Sequence, residues 1–344
     1  MTTDVVRPSE PGHLPALVAM LAHARRERRR RCPLLPAGLD DARTAEAVLQ
    51  GARGAVALSR DGQPCGFLLP ERREDPFWGD SVVVEVDRWG LAAGAGAGTL
   101  AGLYAAGVAP LTRGISEHVV YCPSHERRLL DAWFHLGFGM EQAFAAARLE
   151  DLRAGHTGRG DLVIRRAGPG DEDILISLSH LVLTMQAGPP VWAGLTTEYL
   201  GELRQGFAEL ASDRETVTLL AFSAGRAVGY QVWSPMEGAL AEHASDAGPY
   251  GAGSVGVDGV AGAAVELAAA ATLPEERGTG VGSALTAEAA AEARRAGYTA
   301  CFTDWRTTNP LSSAFWPARG FTPYLYRLVR RLAPQGDAGG REGG

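Results

Sequence analysis

A glycine-rich loop in the second half of the chain has the residue types of an anion site. The loop is Arg277-Gly-Thr-Gly-Val-Gly282, and it follows a strand-like run of small residues, Ala268–Thr272. A helix-forming segment begins directly after it, so N–H groups from the loop and the helix N-terminus converge on one point. Glycine also lets an anion approach the backbone closely. The pattern predicts a site for a pyrophosphate or a similar anion.

Two other phosphate-binding motifs do not fit this loop. A P-loop ends in Gly-Lys-Ser/Thr, and all 33 basic residues of this sequence are arginine. The dinucleotide-binding pattern requires a third glycine, where Ser283 to Leu285 stand. The lack of lysine also excludes a Schiff-base mechanism.

Strands and helices alternate around the loop. Asn309 and Pro310 supply the cap and the first-turn proline of a helix, and Asp171 is placed to begin another. The predicted elements are strands at 162–166, 263–273 and 299–305, a hairpin at 217–234, helices after 171 and at 282–296 and 310–318, and a last strand pair to 332. This order predicts an α+β or mixed α/β fold.

The second half of the sequence repeats the first. Val5–Gly12 resembles Val163–Gly170, Gly66-Phe67 resembles Gly229-Tyr230, and Trp133 resembles Trp316, with offsets of 158, 163 and 183. Three signals in the same order with growing offsets indicate a duplication with insertions. We predict domains at 1–155 and 160–333, joined by a polar linker and followed by a disordered tail at 334–344.

Composition favours a globular protein with a small or cationic partner. Hydrophobic residues make up 46% of the chain, and no apolar run approaches the roughly 20 residues of a membrane span. The N-terminus lacks a signal-peptide pattern, so a cytoplasmic location is expected. The four cysteines lack metal-ligand spacing.

The charge of the chain is uneven. Residues 1–158 carry 18 Arg and 19 Asp or Glu, and the remainder carries 15 Arg and 21 Asp or Glu. The acidic excess of the second half disfavours nucleic acid as a partner.

The loop resembles the core motif of the Gcn5-related N-acetyltransferase (GNAT) superfamily, Gln/Arg-x-x-Gly-x-Gly/Ala. Arg277, Gly280 and Gly282 occupy the defined positions. Asn309 and the Phe315–Phe321 ending extend the resemblance over 160–332. It implies two tandem domains, each a mixed, mostly antiparallel sheet flanked by helices. The two-copy layout is similar to that of mycothiol synthase and related actinobacterial acetyltransferases, which leaves the substrate open.

The resemblance implies that the second domain binds acetyl-CoA as acyl donor, without a metal. In the family the strand backbone holds the pantetheine arm, the loop holds the pyrophosphate, and the next helix borders the arm. The corresponding residues are Ala271, Thr272, Leu273, Arg277, Gly278, Thr279, Gly280, Val281, Gly282, Ser283, Asn309, Phe315 and Trp316. A substrate amine would attack the thioester carbonyl directly.

Glu266 is the candidate general base, since it precedes Arg277 by eleven residues, as the catalytic glutamate does in histone-acetylating members. Burial in an apolar strand would raise its pKa toward neutrality, and the alternatives are that it faces solvent or only binds the acceptor. Many members carry an acid tyrosine where Trp316 stands here. Tyr324 and Tyr326 are then the candidate acids, a water or an unassisted thiolate being the alternatives.

The resemblance also implies where an acceptor enters, between the first helices and the strand edge opposite the acyl-CoA. The candidate substrate residues are Trp192, Tyr230, Trp233 and Glu242. Glu242 lies in the glycine-rich insertion 235–262, whose acidic residues suit either a mobile cover over a cationic acceptor or a plain surface loop.

The first domain has lost the motif, because the offset of 183 aligns Arg277 with Gly94 and Gly280 with Ala97. We therefore predict one acyl-CoA per chain, in a monomer (pseudo-dimer) or a homodimer. The leading function is acetyl-CoA-dependent N-acetylation of a primary amine on a small molecule or peptide. The alternative is a non-catalytic acyl-CoA sensor, which Trp316 favours. No membrane or nucleic-acid partner is expected.

Overall fold

A computed structural model describes residues 4–36, 38–74, 79–153, 160–193, 197–236 and 264–332. The strands are β1 (Val5–Pro8), β2 (Ala55–Leu58), β3 (Pro64–Leu68), β4 (Glu71–Arg73), β5 (Ser81–Val84), β6 (Trp89–Leu91), β7 (Glu117–Pro123), β8 (Gly139–Arg148), β9 (Leu162–Arg166), β10 (Val217–Ser223), β11 (Arg226–Met236), β12 (Ala264–Thr272), β13 (Ala300–Arg306) and β14 (Thr322–Arg331). The α-helices are α1 (Leu14–Arg31), α2 (Ala42–Leu49), α3 (Ala97–Val108), α4 (Arg127–His135), α5 (Glu172–Ala187), α6 (Thr197–Glu209), α7 (Val281–Arg295) and α8 (Pro310–Ala318).

The chain divides into two compact units. Most of β14, the last strand of the chain, belongs to the first unit, and most of β8 belongs to the second. The first unit comprises residues 1–30, 39–141 and 325–344, and the second comprises 31–38 and 142–324. Residues 325–331 of β14 pair antiparallel with β7 in the first unit. Residues 142–148 of β8 pair antiparallel with β13 in the second. The boundary predicted at 155–160 concerns the sequence repeat and stays a prediction.

The first unit has a four-stranded sheet in the order β1-β2-β3-β6 and a parallel pair, β5 with β7. Its core is rich in aromatic side chains that meet edge to face, among them Trp89, Tyr104, Trp133 and Phe138. A smaller apolar cluster joins α1 and α2 to this sheet.

The second unit has a sheet in the order β9-β10-β11-β12-β13-β8, in which only β12 and β13 run parallel. Side chains alternate between its two faces. Gln231 bonds to Thr286 of α7, whereas the neighbouring Tyr230 packs against Phe207 of α6. The two faces of β11 are therefore covered by α7 and by α6 respectively.

The predicted fold class is confirmed. Helix 282–296 is observed at 281–295, and helix 310–318 is observed as predicted. Asp171 precedes α5, but its carboxylate accepts from Arg165 and from the Gly168 N–H, at 2.7 and 2.9 Å, instead of capping the helix. The predicted final strand pair is wrong, since 322–331 forms one continuous strand. The predicted tail and the insertion lie outside the described residues.

Candidate active site

The glycine loop adopts a backbone that its glycines require. After Leu273 the chain makes one short turn at Pro274–Glu276, and Gly278 and Gly280 then take φ angles of +77° and +96°. Only glycine adopts these angles without strain. Gly280 is the N-cap of α7, and its carbonyl accepts from the Ala284 N–H at 3.0 Å.

The first turn of α7 presents N–H groups at the end of this loop. The N–H groups of Val281, Gly282 and Ser283 lie before the first intrahelical donor, so the helix itself offers them no acceptor. Together with the helix dipole, they favour an anion at this position.

A buried polar network fixes the same turn from behind. The Gln231 amide donates to Thr286 Oγ1 at 2.8 Å, and Thr286 Oγ1 donates to the Gly282 carbonyl at 2.8 Å. Trp233 Nε1 donates to Gln231 Oε1 at 3.0 Å. The network holds the start of α7 against β11.

Strands β12 and β13 separate just before the loop. Their paired residues end at Leu267 and Thr303, although the strands continue to Thr272 and Arg306. The register with β11 shifts beside Ala268, which is the signature of a β-bulge. From Ala269 to Thr272, β12 is paired with β11 on one edge. Its other edge, toward β13, has no strand partner among the described residues.

Two carboxyl groups lie on one face of the second sheet beside this separation. Glu266 is paired in register with Phe302, and Asp304 is two residues further along β13, so both side chains point to the same face. Glu266 pairs with Ser234 on its other side, which by alternation is the Tyr230 face.

Burial perturbs both carboxyl groups, and the charge of Asp304 adds to the effect on Glu266. Burial, helped by the charge of Asp304, raises the pKa of Glu266 to about 7. Burial raises the pKa of Asp304 to about 6, against the opposing effects of a hydrogen bond from Gln142 and the charge of Arg306. The Gln142 amide donates to Asp304 Oδ2 at 2.5 Å. Neither carboxylate forms a salt bridge with any residue that the structure describes.

Tyr324 belongs to the same cluster and Tyr326 does not. The Tyr324 ring meets Phe302 edge to face at 5.9 Å. Burial, and then the charges of Cys32, Glu266 and Asp304, raise its pKa, so its hydroxyl keeps its proton. Tyr326 packs against the aromatic core of the first unit.

Among the other residues predicted to lie beside acetyl-CoA, Asn309 caps a helix and Trp316 is buried. Asn309 Oδ1 accepts from the N–H groups of Leu311 and Ser312 at 3.1 and 3.4 Å. Trp316 packs edge to face on Phe315 and Phe321. Phe315 lies next to the loop, since a Cβ on Gly282 would meet its ring at 3.4 Å. Ala271, Thr272 and Leu273 lie along the separated part of β12 and at its end.

The predicted substrate residues are scattered. Trp192 is 69% exposed, with a φ of +46°. Tyr230 and Trp233 are buried on opposite faces of β11, where they offer an acceptor no surface. A role for either residue at the acceptor stays a prediction; the Tyr230 ring packs on Phe207 of α6, and Trp233 bonds to Gln231. Glu242 lies outside the described residues.

Sequence reasoning missed Asp304 and Gln142. A lone aspartate inside the apolar strand Ala300–Arg306 carried the same signal as Glu266 and was available from the sequence. Gln142 gave no local signal, because it comes from the end of the first repeat and reaches the site through the pairing of β8 with β13.

The described residues contain no group of three or more His, Cys, Asp or Glu arranged to hold a metal ion. Within the same ranges, no helix has the length and apolar character needed to cross a membrane.

Comparison with known proteins finds one family similar to this region. Residues 189–321 match the acetyltransferase (GNAT) family. No curated protein sequence matches the chain. A GCN5-related N-acetyltransferase from Sphaerobacter thermophilus is 15% identical, with 97% of each chain covered and a TM-score of 0.51.

Two further structures are more distant. A functionally unknown conserved protein from Staphylococcus epidermidis ATCC 12228 is 12% identical over 74% of this chain and 86% of its own, with a TM-score of 0.44. A tandem GNAT protein from the clavulanic acid biosynthesis pathway is 13% identical over 96% of this chain and all of its own, with a TM-score of 0.45. The resemblance to mycothiol synthase stays a prediction.

The family match supports acyl-CoA-dependent acetyl transfer in general, and the Sphaerobacter structure supports the fold. Both agree with the motif read from Arg277, Gly280 and Gly282. Over residues 189–321 the chain is therefore similar to the acetyltransferase (GNAT) family.

Proposed function

We propose that the second unit transfers an acetyl group from acetyl-CoA to the primary amine of a small molecule or peptide. One observation carries the proposal: the open edge of β12 joins a carboxyl pair at one end to an anion-binding loop at the other. From Glu266, which lies just before the open edge begins, to Thr272, β12 extends roughly 20 Å, at about 3.3 Å per residue. That separation suits a donor whose anionic end and reactive end are far apart.

The residues at the loop fit such a donor. The turn from Arg277 to Gly282 is glycine-rich, a Cβ on Gly278 would meet nothing within 4 Å, and Arg277 is exposed beside the N–H groups of α7. These groups would hold the pyrophosphate. The free edge of β12 from Ala269 to Leu273 would hydrogen-bond the pantetheine arm, whose thioester supplies the activated acyl group.

Glu266 has the properties of the base. With a pKa raised to about 7, its carboxylate accepts a proton from the acceptor ammonium near neutral pH. The neutral amine nitrogen then forms a bond to the carbonyl carbon, which an N–H on the free edge of β12 polarises. The C–S bond breaks, and we assign the Tyr324 hydroxyl as the proton donor to the leaving thiolate. The nitrogen loses its surplus proton as the amide forms, and that proton restores the Tyr324 hydroxyl.

A panel of primary amines tests the proposal. Released CoA is measured with each amine, and saturable, amine-dependent release is expected. Glu266→Gln should lower kcat/KM by about 100- to 10,000-fold, the usual range for a lost general base. Glu288→Gln, which removes an exposed carboxylate of α7, is the matched control. Tight acetyl-CoA binding without release for any amine would support the sensor instead.

A further inference from the structure

The end of the first sequence repeat contributes a side chain to the carboxyl pair of the second unit. Residues 142–148 of β8 run antiparallel to β13, and the register places Phe144 opposite Asp304 and Gln142 opposite Arg306. The Gln142 side chain reaches diagonally to Asp304 Oδ2, at 2.5 Å. Gln142 is 6% exposed, so this amide has been taken out of water to make the contact.

An amide is an unusual partner for a buried carboxylate. A buried charge ordinarily has a cationic partner, and an arginine at this position would neutralise Asp304 outright. An uncharged donor instead stabilises the ionised carboxylate and leaves its negative charge in place. Glu266, on the same face, then experiences that charge.

We propose that Gln142 is a positioning residue that keeps the Asp304 carboxylate ionised and oriented, and thereby sets the pH at which Glu266 can accept a proton. The inference depends on the proposed function for the role of Glu266. It assigns to the first repeat a part in the reaction, although that repeat has lost the glycine motif.

The other groups around Glu266 leave Asp304 as its main charged neighbour. The described titratable groups that act on Glu266 or Asp304 from β13 and β14 are Cys301, Arg306 and Tyr324, and Cys32 acts on Tyr324. Helix α5, which packs on β12, buries no charged side chain. Its buried residues are Leu175, Leu178, Ser179, Leu181 and Leu183.

Replacing Gln142 should therefore shift the pKa values of the two carboxyl groups in opposite directions. In Gln142→Leu the Asp304 carboxylate loses its donor, so the pKa of Asp304 rises and the group is protonated over more of the working range. The repulsion on Glu266 weakens, and Glu266 ionises at lower pH. Because the two groups titrate as a pair, the quantity to measure is the pH at which kcat/KM falls on the acid side. The pKa of either residue alone is not observed.

The first experiment measures kcat/KM against pH for amine acetylation. Gln142→Leu should move the acid limb to lower pH by about one unit, and Asp304→Asn should move it in the same direction. In the Asp304→Asn background, Gln142→Leu should add no further shift. An unchanged limb in Gln142→Leu, or an equal shift in both backgrounds, would overturn the proposal.

A matched control separates this effect from damage to the strands. Thr303 precedes Asp304, and its hydroxyl donates to the Leu267 carbonyl at 3.0 Å without touching the carboxyl pair. Thr303→Val removes a buried hydrogen bond from the same strand. It should lower stability and leave the acid limb where it is.

A second experiment needs no turnover. Tm is measured against pH for the wild type, Gln142→Leu and Thr303→Val. The loss of Tm in Gln142→Leu should grow as pH rises through about 6, where Asp304 ionises, while the loss in Thr303→Val stays constant. A growing loss in a protein that acetylates no amine would refute the proposed function and leave the Gln142–Asp304 link standing. A constant loss in an active enzyme would refute the link alone.

Discussion

Each unit carries a glycine-rich stretch between a strand and an α-helix, at 94–99 in the first and 277–282 in the second. Both stretches contain a glycine in the left-handed region close to the helix: Gly94, at φ +94°, lies two residues before the N-cap of α3, and Gly280, at φ +96°, is itself the N-cap of α7. They differ in what lies beside the helix. In the first unit, Thr99 in the first turn of α3 donates its hydroxyl to the Asp4 carboxylate. The chain thus supplies its own anion there, whereas in the second unit Arg277 is exposed just before α7.

The buried carboxylates differ in the same way. In the first unit Asp87 accepts from Arg25 and Arg28 of α1. Burial acts to raise the pKa of Asp87, but Arg28 and Arg25 outweigh burial and hold it below the ordinary 3.8. In the second unit Glu266 and Asp304 have no such partner in the described ranges, and their pKa values rise. Asp87 is thus held ionised by two arginines in the first unit, whereas Glu266 and Asp304 lie in the second without an ion-pair partner in the part of the chain that the structure describes.

Breaking the ion pairs of the first unit should have the largest effect on stability. Asp87→Asn leaves Arg25 and Arg28 buried without an anion, so the free energy of unfolding should fall by about 3–5 kcal/mol in denaturant titrations. Asp80→Asn, which removes a half-exposed partner of Arg72, should cost less than about 1 kcal/mol. Equal losses in the two variants would mean that the buried pairs contribute no more than a surface pair.

Alanine at matched glycines tests which loop binds the donor. A left-handed alanine costs about 1–3 kcal/mol, so Gly280→Ala should weaken acetyl-CoA binding by about 10- to 100-fold. Gly94→Ala imposes the same strain in the first unit and should leave the affinity unchanged. Calorimetric titration measures both affinities and should give one acetyl-CoA per chain. Weakened binding in Gly94→Ala would contradict the assignment of the donor to the second unit.

The pH dependence of stability should differ in sign between Glu266 and Asp87. Between pH 4.5, the ordinary pKa of Glu266, and about 7, the unfolded chain loses this proton while the folded chain keeps it. Stability from this group is therefore lost as pH rises through that window. Glu266→Gln should gain a few degrees in Tm relative to wild type between pH 4.5 and 7.5. The contribution of Asp87 is instead lost below its ordinary 3.8, as pH falls. A Tm difference for Glu266→Gln that is flat across the window would contradict the raised pKa.

Local sequence signals were enough to predict the helices α7 and α8, which follow the glycine loop 277–282. Helix α7 lies within one residue of its predicted ends, because Gly280 and Gly297 mark its termini. Asn309 and Pro310 fixed the start of α8. These residues act through their own backbone angles or nearby N–H groups, which a linear sequence displays directly.

The site itself depended on contacts that no local pattern contains. Gln142 meets Asp304 only because β8 pairs with β13. A run of arginines such as 25–31 is typical of a solvated helix face, yet Arg25 and Arg28 are buried because a distant aspartate, Asp87, forms salt bridges with them. For Tyr230, the local pattern predicts a strand position but not the helix that covers the ring. Long-range pairing decides such features, so a single sequence leaves them open.

The smallest expected effect concerns Asp4, the carboxylate beside the first turn of α3. Asp4→Asn keeps an acceptor for the Thr99 hydroxyl and removes only the charge, so it should lower the free energy of unfolding by about 0.3–1 kcal/mol at low ionic strength. Salt screens an interaction of this kind, and the loss should shrink in 1 M NaCl. The calorimetric stoichiometry should stay at one acetyl-CoA, because the first unit still lacks a counterpart of Arg277. A second bound acetyl-CoA in Asp4→Asn would show that Asp4 alone keeps the donor out of the first unit, and that the decay of the glycine motif does not.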